Sequence, residues 1–146
     1  MDTQIACRNH PGDSLGPFLN PKYVDRKGLY MDMPRRWLGS LGWSMTKEDV
    51  NGVANLLYHS DVVVQPASTM AIEAAIFDTP TLTVGFNEVL PEITDNSLYN
   101  WAFLKHFKPI VEQQLIPVAN NREELISQIC LYLNDPTLFT RQRKIL

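Results

Sequence analysis

Two short stretches of this sequence hold residue types suited to a phosphorylated ligand. Arg8-Asn9-His10-Pro11 closes the first apolar run, and Gln65-Pro66-Ala67-Ser68-Thr69 closes a later one and leads straight into Met70-Ala71-Ile72-Glu73. Hydroxyls and unpaired backbone N–H groups at a helix start, with the positive end of the helix dipole, make a seat for phosphate. The simpler use of Ser68 and Thr69 is to cap that helix. Glu73 lies one turn beyond Thr69 among Met70, Ala71, Ile72, Ala74, Ala75 and Ile76. A lone carboxylate on such a helix is costly to bury without partners. It either meets solvent or a cation, or accepts two hydroxyls of a ribose. Arg8 and His10, at the end of one strand, are able to neutralise phosphate oxygens or to protonate a leaving group. A hydrogen-bonded histidine in a turn before proline is the plainer alternative for His10.

These residues need elements to hold them. Gln4 to Arg8 reads as a buried strand stopped by His10-Pro11-Gly12-Asp13, and Gly28 to Met31 as a weak second strand. Residues 34–45, with Trp37, Gly39, Gly42 and Trp43, read as a long irregular loop. Thr46 with Asp49 predicts a helix start, and Val50, Val53, Leu56 and Leu57 give that helix one apolar face as far as His59. Asp61-Val62-Val63-Val64 is β-branched without alternation, as expected of a parallel strand buried on both faces. Ser68 to Phe77 follows as a helix that is apolar almost all round, hence well buried, and Thr81 to Val84 as the next strand. A helix is predicted over Ser97 to Phe107, with short strands at Ile110-Val111 and Ile116-Pro117-Val118. Asn120 with Glu123 predicts the cap of a last clear helix carrying Leu125, Ile129 and Leu133, ended by Asp135-Pro136, and a further helical segment starts from Thr137. Alternating strands and helices with short links imply an α/β fold: a Rossmann-like, mostly parallel sheet with helices on both faces.

Composition narrows the partners. The chain has 146 residues, 45% hydrophobic, the size of one ordinary domain with a real core. Its formal net charge of −3 argues against a broad grip on nucleic acid or on an anionic membrane, while leaving room for a local basic pocket. Cys7 and Cys130 are far apart and match no metal spacing or disulfide framework, so they read as buried or free thiols of a reducing compartment. No apolar run approaches the roughly 18–20 residues of a membrane span.

The segment Asp61 to Pro80 resembles the donor-nucleotide segment of GT-B-type glycosyltransferases: an apolar strand, a Ser-rich turn, a helix with a glutamate, then a proline before the next strand. The order of a His-Pro motif followed by a Ser/Thr motif is similar to capsule, teichoic-acid and sialyltransferase-like families. The likeness spans residues 4–134, and its specific part is confined to 5–13 and 59–87. It implies that His10, Ser68 and Thr69 contact the donor phosphate and that Glu73 contacts the ribose. His10, aided by Arg8 and the helix dipole, would stabilise the departing phosphate without a metal or a cofactor; the nucleotide-sugar donor is a substrate. Trp43 could stack on the base, though a tryptophan in a loop more often only packs; Asn87 faces the same crevice; His106 could reach the donor, though satisfying the helix end is the plainer reading. The UDP-sugar epimerases share this half-fold, but the double glycine of their phosphate turn is missing. Gln65-Pro66-Ala67 likewise departs from the turn of the glycerophosphate transferases. A non-catalytic α/β interaction module is the rival outside the enzymes.

The resembled families place a central strand and helix, and a whole acceptor-binding domain, before the Ile5 strand. The whole chain is accordingly expected to be a single nucleotide-sugar-binding domain, residues 1–146, cut from a two-domain cytoplasmic enzyme, inactive by itself and peripheral to the membrane in its full form. With the strand order 3-2-1-4-5-6 lacking strand 1, the Ile5 and Val62 strands would either pair directly or share a strand donated by a second copy in a homodimer.

Overall fold

The computed structural model describes residues 3–10, 26–34, 36–39, 42–86 and 107–146. They fall into two compact units, Met1–Leu56 and Leu57–Leu146.

In the first unit, β1 (Ile5–Arg8) and β2 (Leu29–Asp32) run parallel, with Ile5 opposite Leu29 and Arg8 opposite Asp32. Gly28, at φ +81°, turns the chain into β2, and its carbonyl accepts the Ile5 N–H at 2.7 Å. A side chain there would sit in a backbone region that favours glycine and 3.1 Å from the Thr3 carbonyl. The stretch expected to be an irregular loop is instead an antiparallel hairpin, β3 (Arg36–Gly39) with β4 (Gly42–Met45), Gly39 opposite Gly42. Two glycines that read as loop punctuation mark the two ends of a tight connection. Helix α1 (Lys47–His59) begins where Thr46 and Asp49 predict, the Thr46 hydroxyl accepting from the Asp49 N–H at 3.1 Å. Of its expected apolar face, Val53 and Leu57 are buried, Leu56 is half-buried and Val50 is exposed.

The second unit is built on a parallel three-stranded sheet in the order β5 (Val63–Gln65), β6 (Thr81–Val84), β7 (Val118–Ala119). Thr81 to Val84 is a strand as expected, bounded by Pro80 and Gly85. Helix α2 (Met70–Ile76) packs back on β5 and β6, and α4 (Arg122–Asn134) packs on β6 and β7. Leu82 and Ala119 form the core under α4 with Tyr132, flanked by Val62, Phe86, Leu125, Ile129 and Leu138. A second apolar cluster joins Ala67 and Ala71 to Phe107, Ile110, Leu115 and Ile116. The architecture is therefore mixed α/β, with parallel strands and helices on both faces, as the alternation of elements implies.

Four expectations are corrected. Strand β5 starts two residues later than the β-branched run suggests, and Val64 is 44% exposed, because β5 is the outer strand of its sheet among the described residues. Helix α2 is buried on one side only: Ala71 and Ala74 are enclosed, while Ile72 and Ile76 face out. Ile110-Val111 lies in a helix, α3 (Lys108–Glu112), with Pro109 in its first turn, where a missing N–H costs nothing. The cap of α4 is Asn121 with Glu124, one residue beyond the expected pair, and Tyr132 rather than Leu133 fills the core. Helix α5 (Thr140–Arg143) provides the final helical segment. Among the described residues, no helix is long and apolar enough to cross a membrane.

Candidate functional site

The carboxyl end of the β5–β6–β7 sheet gathers the most unusual chemistry of the second unit. Gln65 ends β5 in register with Thr83, and both are buried. The Gln65 amide is engaged at both ends: Nε2 donates to Thr83 Oγ1 at 2.8 Å, and Oε1 accepts from the Ser68 N–H at 2.6 Å. One side chain thereby ties the sheet interior to the turn that leads into α2. Ala67, in that turn, has φ +29°, a conformation that non-glycine residues rarely adopt, and it is buried. Such strain persists where the surroundings over-determine it, and it concentrates at ligand sites. The Gln65 brace supplies that constraint.

The seat differs in kind from the one the sequence suggests. The Met70 N–H donates to Ser68 Oγ at 3.2 Å, and the Ala71, Ile72 and Glu73 N–H groups go to the Ser68 and Thr69 carbonyls. The first-turn donors are thus already committed, and α2, seven residues long, has a correspondingly short dipole. What the turn presents outward is side-chain chemistry. Thr69 occupies the N-cap position with helical backbone angles and makes no side-chain cap bond, so its exposed hydroxyl is directed away from capping. Glu73 is exposed, one turn along the same helical face as Thr69. Ser68 is half-buried and closes the turn. Ser68, Thr69 and Glu73 therefore lie together, as the sequence implies.

The first unit holds the other candidate stretch. Arg8 does not project into solvent. One amino group of its guanidinium pairs with Asp32 on the adjacent strand, and the other reaches Asp49 of α1 at 2.6 Å. Burial works against the guanidinium charge, but the hydrogen bonds it donates to Asp49 and Asp32, with the charges of those two carboxylates, outweigh it and move its pKa upward. Asp49 is itself almost fully buried. Asn9, the next residue, is buried as well, and His10 is exposed. Cys7, on the same strand, is half-buried, and burial pushes its thiol pKa up, away from reactivity.

Asp32 and Thr83 do not stand out in the sequence, and Asp49 does so only as part of a helix start. Their partners lie 24, 41 and 18 residues away, so no local spacing reveals them. Gln65 did carry a signal: a polar amide ending a β-branched strand needs a partner if it is buried. Trp43 lies on β4, and only its backbone placement is described. Asn87, His106 and residues 97–106 of the helix expected over Ser97 to Phe107 fall outside the described residues, and Phe107 itself is the N-cap of α3. Among the described residues, no three His, Cys, Asp or Glu side chains gather as a metal site.

Neither the protein-family models, the curated proteins nor the solved structures match this chain.

Proposed function

We propose that the chain is the donor-nucleotide half of a GT-B-type glycosyltransferase, serving transfer of a sugar from a nucleotide-activated donor to an envelope polysaccharide acceptor. The observation that carries this reading is the braced β5–α2 turn, with the exposed Thr69 hydroxyl and Glu73 carboxylate on one face at the carboxyl end of a parallel sheet. In open parallel sheets, ligands bind outside that end. The Thr69 hydroxyl, with Ser68 beside it, donates to a phosphate oxygen, and Glu73 accepts the two hydroxyls of the ribose. The resemblance, rather than the geometry, assigns His10, which follows β1, to the departing phosphate. Arg8 is given a different role from direct phosphate contact, since its guanidinium is held by two carboxylates.

Calorimetry of the folded 146-residue chain with UDP, CMP and CDP tests the reading. Binding of one of them, weakened by Thr69→Val and by Glu73→Ala, supports it. A folded chain that binds none of the three overturns it.

One observation favours the rival class, an interaction module. Ile76 is 76% exposed, and Tyr58, 64% exposed, stands edge-on to the half-exposed Phe77 ring at 5.9 Å. An apolar surface of this kind suits a protein partner. In the rival case Ile76→Asp abolishes that association, and Glu73→Ala changes nothing.

A further inference from the structure

The geometry points to Arg8 as a positioning residue: its bridge to Asp32 and Asp49 locks the ends of β1 and β2 to the first turn of α1, and so fixes the direction in which the chain leaves β1 through Asn9 and presents His10. This rests on the role proposed above for His10.

The argument starts with the register. Arg8 and Asp32 are the last residues of two parallel strands and face each other across the ladder, so their side chains leave the same face of the pair. The third corner comes from a different element. Asp49 lies in the first turn of α1, its N–H held by the Thr46 hydroxyl, and its carboxylate takes the second amino group of Arg8. A planar guanidinium is suited to this task, since its forked donors hold two carboxylates at a fixed angle, and a lysine ammonium would hold them as a point charge. The Arg8 and Asp49 side chains are shielded from solvent, 13% and 2% exposed, and Asp32 is 21% exposed. Shielded pairs are little screened by salt, and breaking one partner leaves a charge uncompensated. Directly after Arg8, Asn9 is 3% exposed, so the ordered frame extends one residue past the strand before His10 emerges. A proton donor at the surface needs a fixed backbone to meet its acceptor, and misplacement by about 1 Å costs large factors in rate.

The test uses the ¹⁵N-labelled chain and two variants. Asp49→Asn removes one corner, and Arg8→Met with Asp49→Leu replaces the guanidinium and its buried partner by apolar groups of similar volume, which commonly preserves folding, and leaves Asp32, the most exposed of the three at 21%, to solvent. Backbone relaxation is read at Asn9 and His10, and affinity for UDP, CMP and CDP is measured alongside the melting temperature. The expected result is a fall in their order parameters from about 0.85 to below about 0.6 in both variants. Nucleotide affinity should fall roughly tenfold or more in the double variant at an unchanged melting temperature. If the folded double variant keeps Asn9 and His10 as rigid as the parent, or if the parent is already loose there, the positioning role is overturned. If the parent binds no nucleotide, the functional reading fails, and the order parameters still decide the role of Arg8.

Discussion

Gln65 and Thr83 meet side by side inside the parallel sheet, amide to hydroxyl at 2.8 Å, with Thr83 fully buried. The same amide holds the Ser68 N–H, so the geometry of the candidate turn depends on a bond made within the sheet. Thr83→Val keeps the shape and removes the acceptor for Nε2. Leaving a buried donor unpaired costs about 1–3 kcal/mol. Gln65→Leu strands both the Thr83 hydroxyl and the Ser68 N–H and should cost about as much or more. In urea titrations the double variant is expected to lose less than the sum of the two singles, since the leftover groups are removed together. Strict additivity would show that the two side chains are not coupled.

Glu73 allows function to be separated from stability. It is exposed and has no part in either apolar cluster, so Glu73→Ala should change the unfolding free energy by no more than about 0.5 kcal/mol. Its effect should appear in nucleotide affinity alone. A large loss of stability would identify Glu73 as a structural residue and remove it from the proposed site.

How much of this was legible in the sequence depends on the range of the forces involved. Strand β6 was, because Pro80 and Gly85 bracket Thr81-Leu82-Thr83-Val84, a short run rich in β-branched residues. The start of α1 was, because Thr46 and Asp49 are local partners. The grouping of Ser68, Thr69 and Glu73 was, because helical spacing alone brings them together. Ile110-Val111 was not, since two apolar residues fit a strand or a helix equally, and Pro109 settles the matter through the helix start. The partners of Arg8 were not, because Asp32 and Asp49 reach it only through tertiary folding. The sequence placed a cation at a strand end; the fold turns that cation inward.

Arg143 is a buried charge held at every nitrogen of its guanidinium. It is buried, and its guanidinium donates to Asp78 at 2.7 Å, to the Leu138 carbonyl at 2.5 Å, to the Pro136 carbonyl at 3.0 Å and to the Thr140 hydroxyl at 2.9 Å. These bonds tie α5 to the connection after α4 and to Asp78, two residues beyond α2. Arg143→Ala should therefore cost about 3 kcal/mol or more, as expected on removing one member of a buried charged network. Asp78→Asn should cost less than about 1 kcal/mol, because Asp78 is half-exposed and asparagine tolerates its φ of +54°. Arg143→Lys should resemble the alanine variant more than the parent, since an ammonium cannot reproduce the fork. Chemical denaturation of the three variants checks this ranking.

Asn121 tests the off-register cap. Its side chain accepts the Glu124 N–H at 2.8 Å, and the Glu124 carboxylate reaches back to the Asn120 N–H at 2.8 Å. Asn121→Ala should cost about 1 kcal/mol. Glu123→Gln should have no measurable effect, because the cap uses the following glutamate. The bonds from Asn120 hold the Glu124 carboxyl below its ordinary range, with a further bond from Asn121. Their contribution to stability is therefore present above that range and is lost as the pH falls through the lowered value. An acid titration of the parent against Glu124→Gln should show this dependence only in the parent.

Tyr132 should govern stability at the alkaline end. It is buried against the sheet, its hydroxyl donating to the Thr81 carbonyl at a long 3.5 Å, and burial pushes its pKa up to about 12. An unfolded tyrosine ionises near 10. Below pH 10 both states keep the proton, and the ring contributes its full stability. Between 10 and 12 the unfolded chain releases the proton while the folded chain holds it, so stability falls as the pH rises. The loss should total on the order of 2–3 kcal/mol by pH 12. Tyr132→Phe keeps the ring, its edge contact with Phe139 at 6.1 Å and its place beside Leu82 and Ala119, and gives up only the long hydroxyl bond. The variant should accordingly be close to the parent at pH 8 and more stable than it at pH 11.5. Parallel curves for the two proteins across that interval would show that the Tyr132 hydroxyl ionises as freely in the folded chain as in the unfolded one, and that the ring is not sealed under α4.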